Sequence, residues 1–152
     1  MKYFLVGYMA CGKTHRGKEM ADELGIRFID LDAYITERER RSVPEIFAKE
    51  GEAGFRKLET RYLQEVCDLY ESFVLSTGGG TPCFGHNMEY MNARGHTLFL
   101  NTDPEVIIGR LIRGKQKRPM VSKLGDDEIR DFVYRHLEER LPYYQQAKEI
   151  VK

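Results

Sequence analysis

The chain has 152 residues, and its 24 basic and 24 acidic side chains balance to a formal net charge of zero, with a pI near 6.9. This balance gives no support for a nucleic acid or an anionic membrane as the main partner. No apolar stretch approaches the roughly 20 residues that a membrane-crossing helix needs, and the first residues lack the basic and apolar regions of a signal peptide.

Length and cysteine usage indicate how the chain is organised. A chain of this size suits a single domain, 1–152, with a sizeable hydrophobic core. The three cysteines are too few for a disulfide framework, and an odd number cannot all pair. No two of them have metal-ligand spacing. We therefore expect a cytoplasmic protein, and a monomer by default because nothing in the pattern calls for an interface.

Short β-type runs alternate with longer helical patterns, which favours an α/β fold with a mainly parallel sheet. The predicted strands are 2–6, 27–31, 73–76, 97–100 and 149–151. Helices are predicted at 14–24, from a capping box at Ser42 to near Gly51, and at 53–70. Another opens at Asp103-Pro104 and runs to Leu111, and a final long helix is kinked or restarted by Pro142.

The segment GYMACGKT, residues 7–14, lies between the first strand and the first helix and fits the pattern GxxxxGK[ST]. Glycines let successive backbone N–H groups face inward, and the helix N-terminus adds its positive end, so such a loop can hold nucleoside triphosphate. Lys13 would reach the β- and γ-phosphates, and the Thr14 hydroxyl would ligate Mg²⁺. The alternative is a glycine-rich turn followed by Lys and Thr by chance.

We expect no catalytic role for Cys11 in this loop or for the histidines of the chain. Cys11 is either a redox-sensitive thiol or, as we expect, a small side chain tolerated among the backbone amides. His15 is interpreted as a helix-surface residue rather than a catalytic one. His86, His96 and His136 have no convincing partners in the sequence, and His136 falls in an apolar stripe.

Two aspartates lie at the carboxyl end of the second predicted strand, in the stretch FIDLD. Their spacing would place Asp30 and Asp32 on one face at the carboxyl end of the strand, where ligands bind in parallel sheets. One could serve Mg²⁺ and the other could take a proton from an acceptor hydroxyl. The alternative is that Asp32 only caps the next helix, which would not account for Asp30.

Two further stretches fit a phosphate-handling protein. Gly78, Gly79 and Gly80 follow the third strand, where they would let backbone amides approach a small ligand closely. From Arg110 to Arg118 the chain has five basic residues and no acidic ones. This run is either a solvated loop or a mobile basic lid that excludes water when it closes.

Together these motifs resemble the shikimate kinase family along almost the whole chain. The family's phosphate loop and D-x-D are followed here by EIFAKEGEAGFRKLE, VLSTGGGTP, KRPM and RLPYY, in the family's order. The resemblance implies a nucleoside-monophosphate-kinase-like three-layer fold, with a five-stranded parallel sheet in order 2-3-1-4-5 and helices on both faces. It also implies an acceptor-binding region at about residues 32–60 and a lid at about residues 110–124.

The resemblance implies transfer of the ATP γ-phosphoryl to the 3-hydroxyl of shikimate, with Mg²⁺, in aromatic amino-acid biosynthesis. Lys13 and Thr14 would hold phosphates and Mg²⁺, and Asp30 would assist the metal. Arg118 would reach from the lid to the phosphates, and Arg110 would stack on adenine. The implied ATP-binding residues are Gly7, Ala10, Cys11, Gly12, Lys13, Thr14, His15, Arg110 and Arg118.

On the acceptor side, the resemblance implies that Asp32 binds the substrate hydroxyls and acts as the candidate base. Arg56 and Arg140 would clamp the substrate carboxylate beside the backbone of Gly78–Gly80. The physical chemistry agrees, because guanidinium meets carboxylate through paired charge-assisted hydrogen bonds. The alternative for each arginine is a surface ion pair on a helix.

The sequence departs from the family at Ala10, where the family loop usually has glycine. A non-glycine residue that needed a positive φ there would be strained. The chain also ends at Lys152, whereas many relatives continue into a segment that touches adenine. The rival functions are a related P-loop kinase for another small acceptor, such as gluconate or a nucleoside monophosphate, and a non-catalytic nucleotide-binding paralogue.

Overall fold

The computed structural model describes residues 1–117 and 121–152. Five strands are described: β1 (Lys2–Val6), β2 (Arg27–Asp30), β3 (Phe73–Ser76), β4 (His96–Leu100) and β5 (Glu149–Val151). Six α-helices are described: α1 (Lys13–Leu24), α2 (Leu31–Glu39), α3 (Val43–Leu69), α4 (Asn87–Arg94), α5 (Pro104–Arg113) and α6 (Asp126–Tyr144). Two short 3₁₀ helices are formed by Thr81–Cys83 and Lys115–Lys117.

The strands form one parallel sheet in the order β2-β3-β1-β4-β5, as expected from the family resemblance. The connection from β1 to β2 runs one way along the sheet, and the later connections run the other way. Because parallel crossovers are right-handed, this reversal places helices on both faces of the sheet. The carboxyl ends of β1, β2 and β3 therefore meet at one edge, where ligands bind in such folds.

The central strands carry the core. Phe4, Leu5 and Val6 of β1 are fully buried, as is all of the apolar part of β3 (Phe73–Leu75). Strands that are covered on both faces have continuous apolar sequences, which explains why the sequence predicts both β1 and β3. No helix in the described part of the chain combines the length and apolar composition that crossing a bilayer requires.

Helix boundaries follow the local capping chemistry. The Ser42 hydroxyl accepts from the Glu45 amide at 3.2 Å, and the Glu45 carboxylate accepts from the Ser42 amide at 3.0 Å, so the predicted capping box is confirmed. Gly51, with φ 72°, interrupts α3 where the first of the two predicted helices was expected to end. Pro142 does not restart α6, which continues through Tyr144.

Candidate active site

The phosphate loop joins β1 to α1. A Cβ on Gly7 would lie 2.9 Å from Cys11 Sγ and 3.0 Å from the Leu100 carbonyl oxygen, and Gly7 has φ 151°, so only glycine fits there. The Lys13 ammonium donates to the carbonyl oxygens of Gly7 at 2.6 Å and Tyr8 at 3.0 Å. Burial lowers the pKa of Lys13 below its ordinary value, with Arg140 a smaller cause and Asp32 opposing it. The lysine is therefore fixed across the mouth of the loop.

Three other residues in or next to the loop, Ala10, Cys11 and His15, differ in burial and backbone conformation. Cys11 is buried, and its Sγ lies 3.8 Å from Lys13 Nζ. Ala10 has φ 62°, so this non-glycine residue does occupy the left-handed region, at a cost of about 1 kcal/mol. His15 is exposed and pairs with Glu19 at 3.0 Å, as expected of a helix-surface residue.

The two aspartates lie differently from the prediction. Asp30 ends β2 and caps α2, since its Oδ1 accepts from the Ala33 amide at 3.0 Å. Asp32 is in the first turn of α2, so the prediction that both lie on one strand face is wrong. The alternative that Asp32 is the cap is also wrong, because Asp30 has that role. Because Asp30 caps the helix, β2 ends one residue before the predicted bound. Both aspartates nevertheless line the cavity next to the phosphate loop.

Asp32 is the perturbed acid of this cavity. Burial is the main cause that raises its pKa from 3.8 to about 6, and the nearby carboxylates of Asp30 and Glu59 raise it further. Lys13 and Arg56 oppose this rise. A carboxyl that titrates near pH 6 can hold or release a proton close to neutrality, which suits a group that faces an acceptor hydroxyl.

This raised pKa predicts that Asp32→Asn stabilises the ligand-free protein at neutral pH. Between pH 3.8 and about 6 the folded chain binds more protons at Asp32 than the unfolded chain does, so the free energy of unfolding falls as the pH rises through this window. Solvent reaches the half-buried carboxyl, so we expect a gain of about 1–2 kcal/mol for Asp32→Asn at pH 8 and almost none at pH 4. Urea denaturation of both proteins measures this. An equal difference at the two pH values would contradict the raised pKa.

The glycine turn after β3 brings the acceptor-side residues together. A Cβ on Gly78 would lie 3.2 Å from Glu59 Oε2 and 3.4 Å from Asp32 Oδ1. A Cβ on Gly79 would lie 3.0 Å from Arg140 Nη1, and one on Gly80 would lie 2.6 Å from Arg56 Nη2. The turn therefore needs glycine because two guanidinium groups and two carboxylates crowd around its backbone.

Arg56 is held by a carboxylate and an aromatic ring. Its Nη1 donates to Glu59 Oε1 at 3.0 Å, and its guanidinium carbon lies 4.3 Å from the Phe84 ring centroid. Its Nε is buried and has no hydrogen-bond partner in the part of the chain that the structure describes. Buried donors are normally satisfied, so this N–H is an exception, and it is the Nη end of the guanidinium that lies against Gly80.

Glu59 is the main residue of the site that the sequence analysis did not assign a role. It is 1% exposed, pairs with Arg56, and accepts from the Thr81 hydroxyl at 2.7 Å. A buried carboxylate with two partners fixes the direction of the guanidinium it pairs with. Its spacing of three residues from Arg56 on a helix, within the quoted stretch FRKLE, was the available signal.

The remaining arginines differ in placement. Arg140 on α6 lies beside Gly79, with its guanidinium carbon 6.0 Å from the Tyr8 ring centroid. Arg110 donates to the Ala10 carbonyl oxygen at 2.8 Å, which places it against the phosphate loop. Arg118 lies outside the described residues.

A cavity of about 580 Å³ lies at the carboxyl edge of the sheet, and Arg56, Glu59 and Arg140 lie beyond its lining, next to the glycine turn. Its lining includes the phosphate-loop residues 9–15, Asp30, Asp32, residues 76–79 and Arg110. The described residues contain no cluster of three or more His, Cys, Asp or Glu side chains that could cage a metal. Mg²⁺ in kinases is held by one or two protein oxygens plus phosphates and water, so the Thr14 hydroxyl and the aspartates fit that ion.

Comparisons with known proteins agree over nearly the full chain. The sequence model of the family described as shikimate kinase matches residues 9–152. The chain belongs to the shikimate kinase family. A shikimate kinase from Bacteroides fragilis is 52% identical over 99% of this chain and 83% of the relative.

Solved shikimate kinases also share the fold. The crystal structure of the enzyme from Bacteroides thetaiotaomicron superposes with a TM-score of 0.95 at 50% identity, covering 100% of this chain and 86% of that one. The shikimate kinase from Acinetobacter baumannii, solved in complex with shikimate, gives 0.86 at 34% identity, covering 99% of this chain and 82% of that one. The fold therefore agrees with the family that the sequence shows.

Proposed function

We propose that this chain transfers the γ-phosphoryl group of ATP to the 3-hydroxyl of shikimate, giving ADP and shikimate 3-phosphate in aromatic amino-acid biosynthesis. One observation carries the proposal: Arg56 and Arg140 converge on the glycine turn that also borders the phosphate-loop cavity and Asp32. A hydroxylated carboxylic acid bound by the arginines would present its hydroxyls toward Asp32. The shikimate complex of the Acinetobacter baumannii relative supports this acceptor.

The acceptor carboxylate would be bound by the two arginines. The guanidinium of Arg56 beside Gly80 and that of Arg140 beside Gly79 would supply charge-assisted donors. Glu59 prevents Arg56 from swinging away, since the pair is buried. Binding at two fixed guanidinium groups restricts the acceptor ring to few orientations, which is the positioning that phosphoryl transfer depends on.

The triphosphate would lie on the backbone N–H groups of residues 7–14, with Lys13 moving from the loop carbonyls to the β- and γ-phosphates. Thr14 and Asp30 would hold Mg²⁺, Asp30 through water. When bound, that ion neutralises the charge that develops on the transferred group and the leaving phosphate.

In the transfer step the acceptor oxygen forms a bond to the γ-phosphorus, and the bond from that phosphorus to the bridging oxygen of ADP breaks. The hydroxyl proton passes to Asp32, whose pKa of about 6 in the ligand-free protein keeps the carboxyl ionised at neutral pH. Lys13 and Arg118 would stabilise the charge on the equatorial oxygens and on the leaving ADP. Orientation and charge stabilisation carry most of the rate enhancement in such transfers.

The domain assignments also belong to this proposal. Residues 32–60 would form the acceptor-binding region and residues 110–124 a basic lid within one domain, with Arg110 beside adenine. Arg110 already contacts the phosphate loop, which supports a position near the nucleotide. The three unpaired cysteines support a cytoplasmic location, and a monomer is the working assumption.

The test is ADP release from Mg·ATP by purified protein, with shikimate, gluconate or a nucleoside monophosphate as acceptor. We expect release that depends on shikimate alone. Release with gluconate or a nucleotide instead would assign the chain to a different acceptor. Binding of ATP with no release for any acceptor would identify a non-catalytic paralogue.

A further inference from the structure

The final helix presents one face to the active site. His136, Arg140 and Tyr144 are spaced by four residues on α6, so they form one stripe. The Tyr144 hydroxyl donates to the Gly79 carbonyl oxygen at 2.5 Å, and His136 Nδ1 lies 2.9 Å from the Tyr8 hydroxyl. The central residue of the stripe, Arg140, is thus flanked by one anchor on each side.

We propose that Tyr8 and His136 are positioning residues that tie the phosphate loop to α6 and thereby fix Arg140 against the acceptor carboxylate. This inference rests on the proposed role of Arg140 as a ligand of that carboxylate. Tyr8 is the second residue of the phosphate loop, 128 residues away from His136 in the sequence. The hydrogen bond therefore links the nucleotide half of the site directly to the acceptor half.

Burial and ring packing fix the geometry of the hydrogen bond between Tyr8 and His136. Tyr8 is 1% exposed, and its ring meets the His136 imidazole edge to face, with centroids 5.4 Å apart and planes at 89°. Phe132 also packs against the imidazole, with centroids 5.0 Å apart. Burial raises the pKa of Tyr8, and burial and then Arg140 lower the pKa of His136. Both groups are therefore neutral at neutral pH, and we infer that the phenol donates to Nδ1, which requires the Nε2–H tautomer of His136.

The local helix needs such an anchor. Pro142 has no N–H, so α6 loses the backbone hydrogen bond that would reach back to residue 138, within the turn that carries Arg140. The phosphate loop has other supports, since Thr102 donates to the Cys11 carbonyl oxygen at 2.7 Å and Arg110 donates to that of Ala10. Loss of the Tyr8–His136 bond should therefore affect Arg140 more than the loop.

The test is a double-mutant cycle with Tyr8→Phe, His136→Leu and the double variant, together with His136→Asn as a conservative rescue. Tyr8→Phe keeps the ring and removes only the hydroxyl. His136→Asn keeps an acceptor near the position of Nδ1. Tyr143→Phe is the matched control, because it removes an exposed phenol from the same helix.

We expect each single variant to raise the KM for shikimate about tenfold, with the KM for ATP and kcat within about threefold of wild type. The double variant should be no worse than either single one, and His136→Asn should recover most of the loss. Unchanged shikimate KM in the single variants, losses that multiply in the double variant, or an equal rise in the KM for ATP would overturn the proposal.

Nitrogen-15 NMR of the imidazoles gives a readout that does not depend on activity. In ligand-free wild type at pH 8 we expect His136 as the Nε2–H tautomer, with an Nδ1 signal that moves when Tyr8 becomes Phe. The opposite tautomer, or a signal that ignores Tyr8→Phe, would overturn the hydrogen bond. A wild-type protein with no shikimate-dependent turnover would instead count against the proposed function, and the spectrum would still decide the Tyr8–His136 bond.

Discussion

Lys13→Met should lower kcat about a hundredfold to a thousandfold while the fold persists. The ammonium is held at the phosphate loop by the Gly7 and Tyr8 carbonyl oxygens, from where it would reach the β- and γ-phosphates, and removal of one such preorganised donor costs this much in other enzymes. The free energy of unfolding should change by no more than about 1 kcal/mol. The side chain is buried and burial lowers its pKa, so the two lost hydrogen bonds are offset by relief of a desolvated charge.

Turnover assays and urea denaturation of the same preparation separate the two effects. Lys18→Met is the matched control, because Lys18 lies on α1 as well but is exposed. We expect near-normal turnover for that variant. Near-normal turnover for Lys13→Met would refute the assignment of residues 7–14 as the phosphate loop.

Arg56→Ala should weaken shikimate binding by about 2–5 kcal/mol, the range found when one partner of a desolvated, hydrogen-bonded charge pair is removed. The reason is that the Arg56 guanidinium lies against Gly80 of the glycine turn while Glu59 holds it in place. The substitution also leaves the buried Glu59 carboxylate without its arginine, so the variant should be less stable. Calorimetric titration with shikimate measures the binding, and denaturation measures the stability.

Two further variants distinguish paired hydrogen bonding by the Arg56 guanidinium from the effect of its positive charge alone. Arg56→Lys keeps the positive charge but loses the planar guanidinium that can donate two parallel hydrogen bonds to a carboxylate. This variant should therefore bind shikimate at least about tenfold more weakly than wild type. Arg61→Ala removes an exposed arginine from the same helix and should bind normally. Unchanged affinity in Arg56→Ala would exclude Arg56 from the carboxylate site.

The elements that the sequence predicted well are those whose signals are local. The strands at 2–6, 73–76 and 149–151 have the predicted bounds, and the Ser42 capping box lies where it was expected. Helix α4 (Asn87–Arg94) was not predicted. Its buried apolar residues are Met88 and Met91, with Tyr90 partly buried beside them, and so short an apolar pattern is too weak a periodicity to detect.

The parts of the site that could not be predicted depend on distant partners. The D-x-D stretch was found from its spacing, but the strand ends at Asp30 because that side chain caps α2, which changes the backbone under Asp32. The hydrogen bonds from Tyr8 to His136 and from Tyr144 to Gly79 span 128 and 65 residues. Only the packed sheet and α6 bring these pairs together, so no short pattern indicates them.

The central claim is that two arginines recognise an acceptor carboxylate across from the phosphate loop, and the most direct test is the kcat/KM of wild type for shikimate against its methyl ester. The ester keeps the ring and all hydroxyls, removes the negative charge and adds one methyl group. We predict that kcat/KM falls about a hundredfold or more for the ester, because the charge-assisted bonds to Arg56 and Arg140 are lost. Equal values for acid and ester would contradict the clamp.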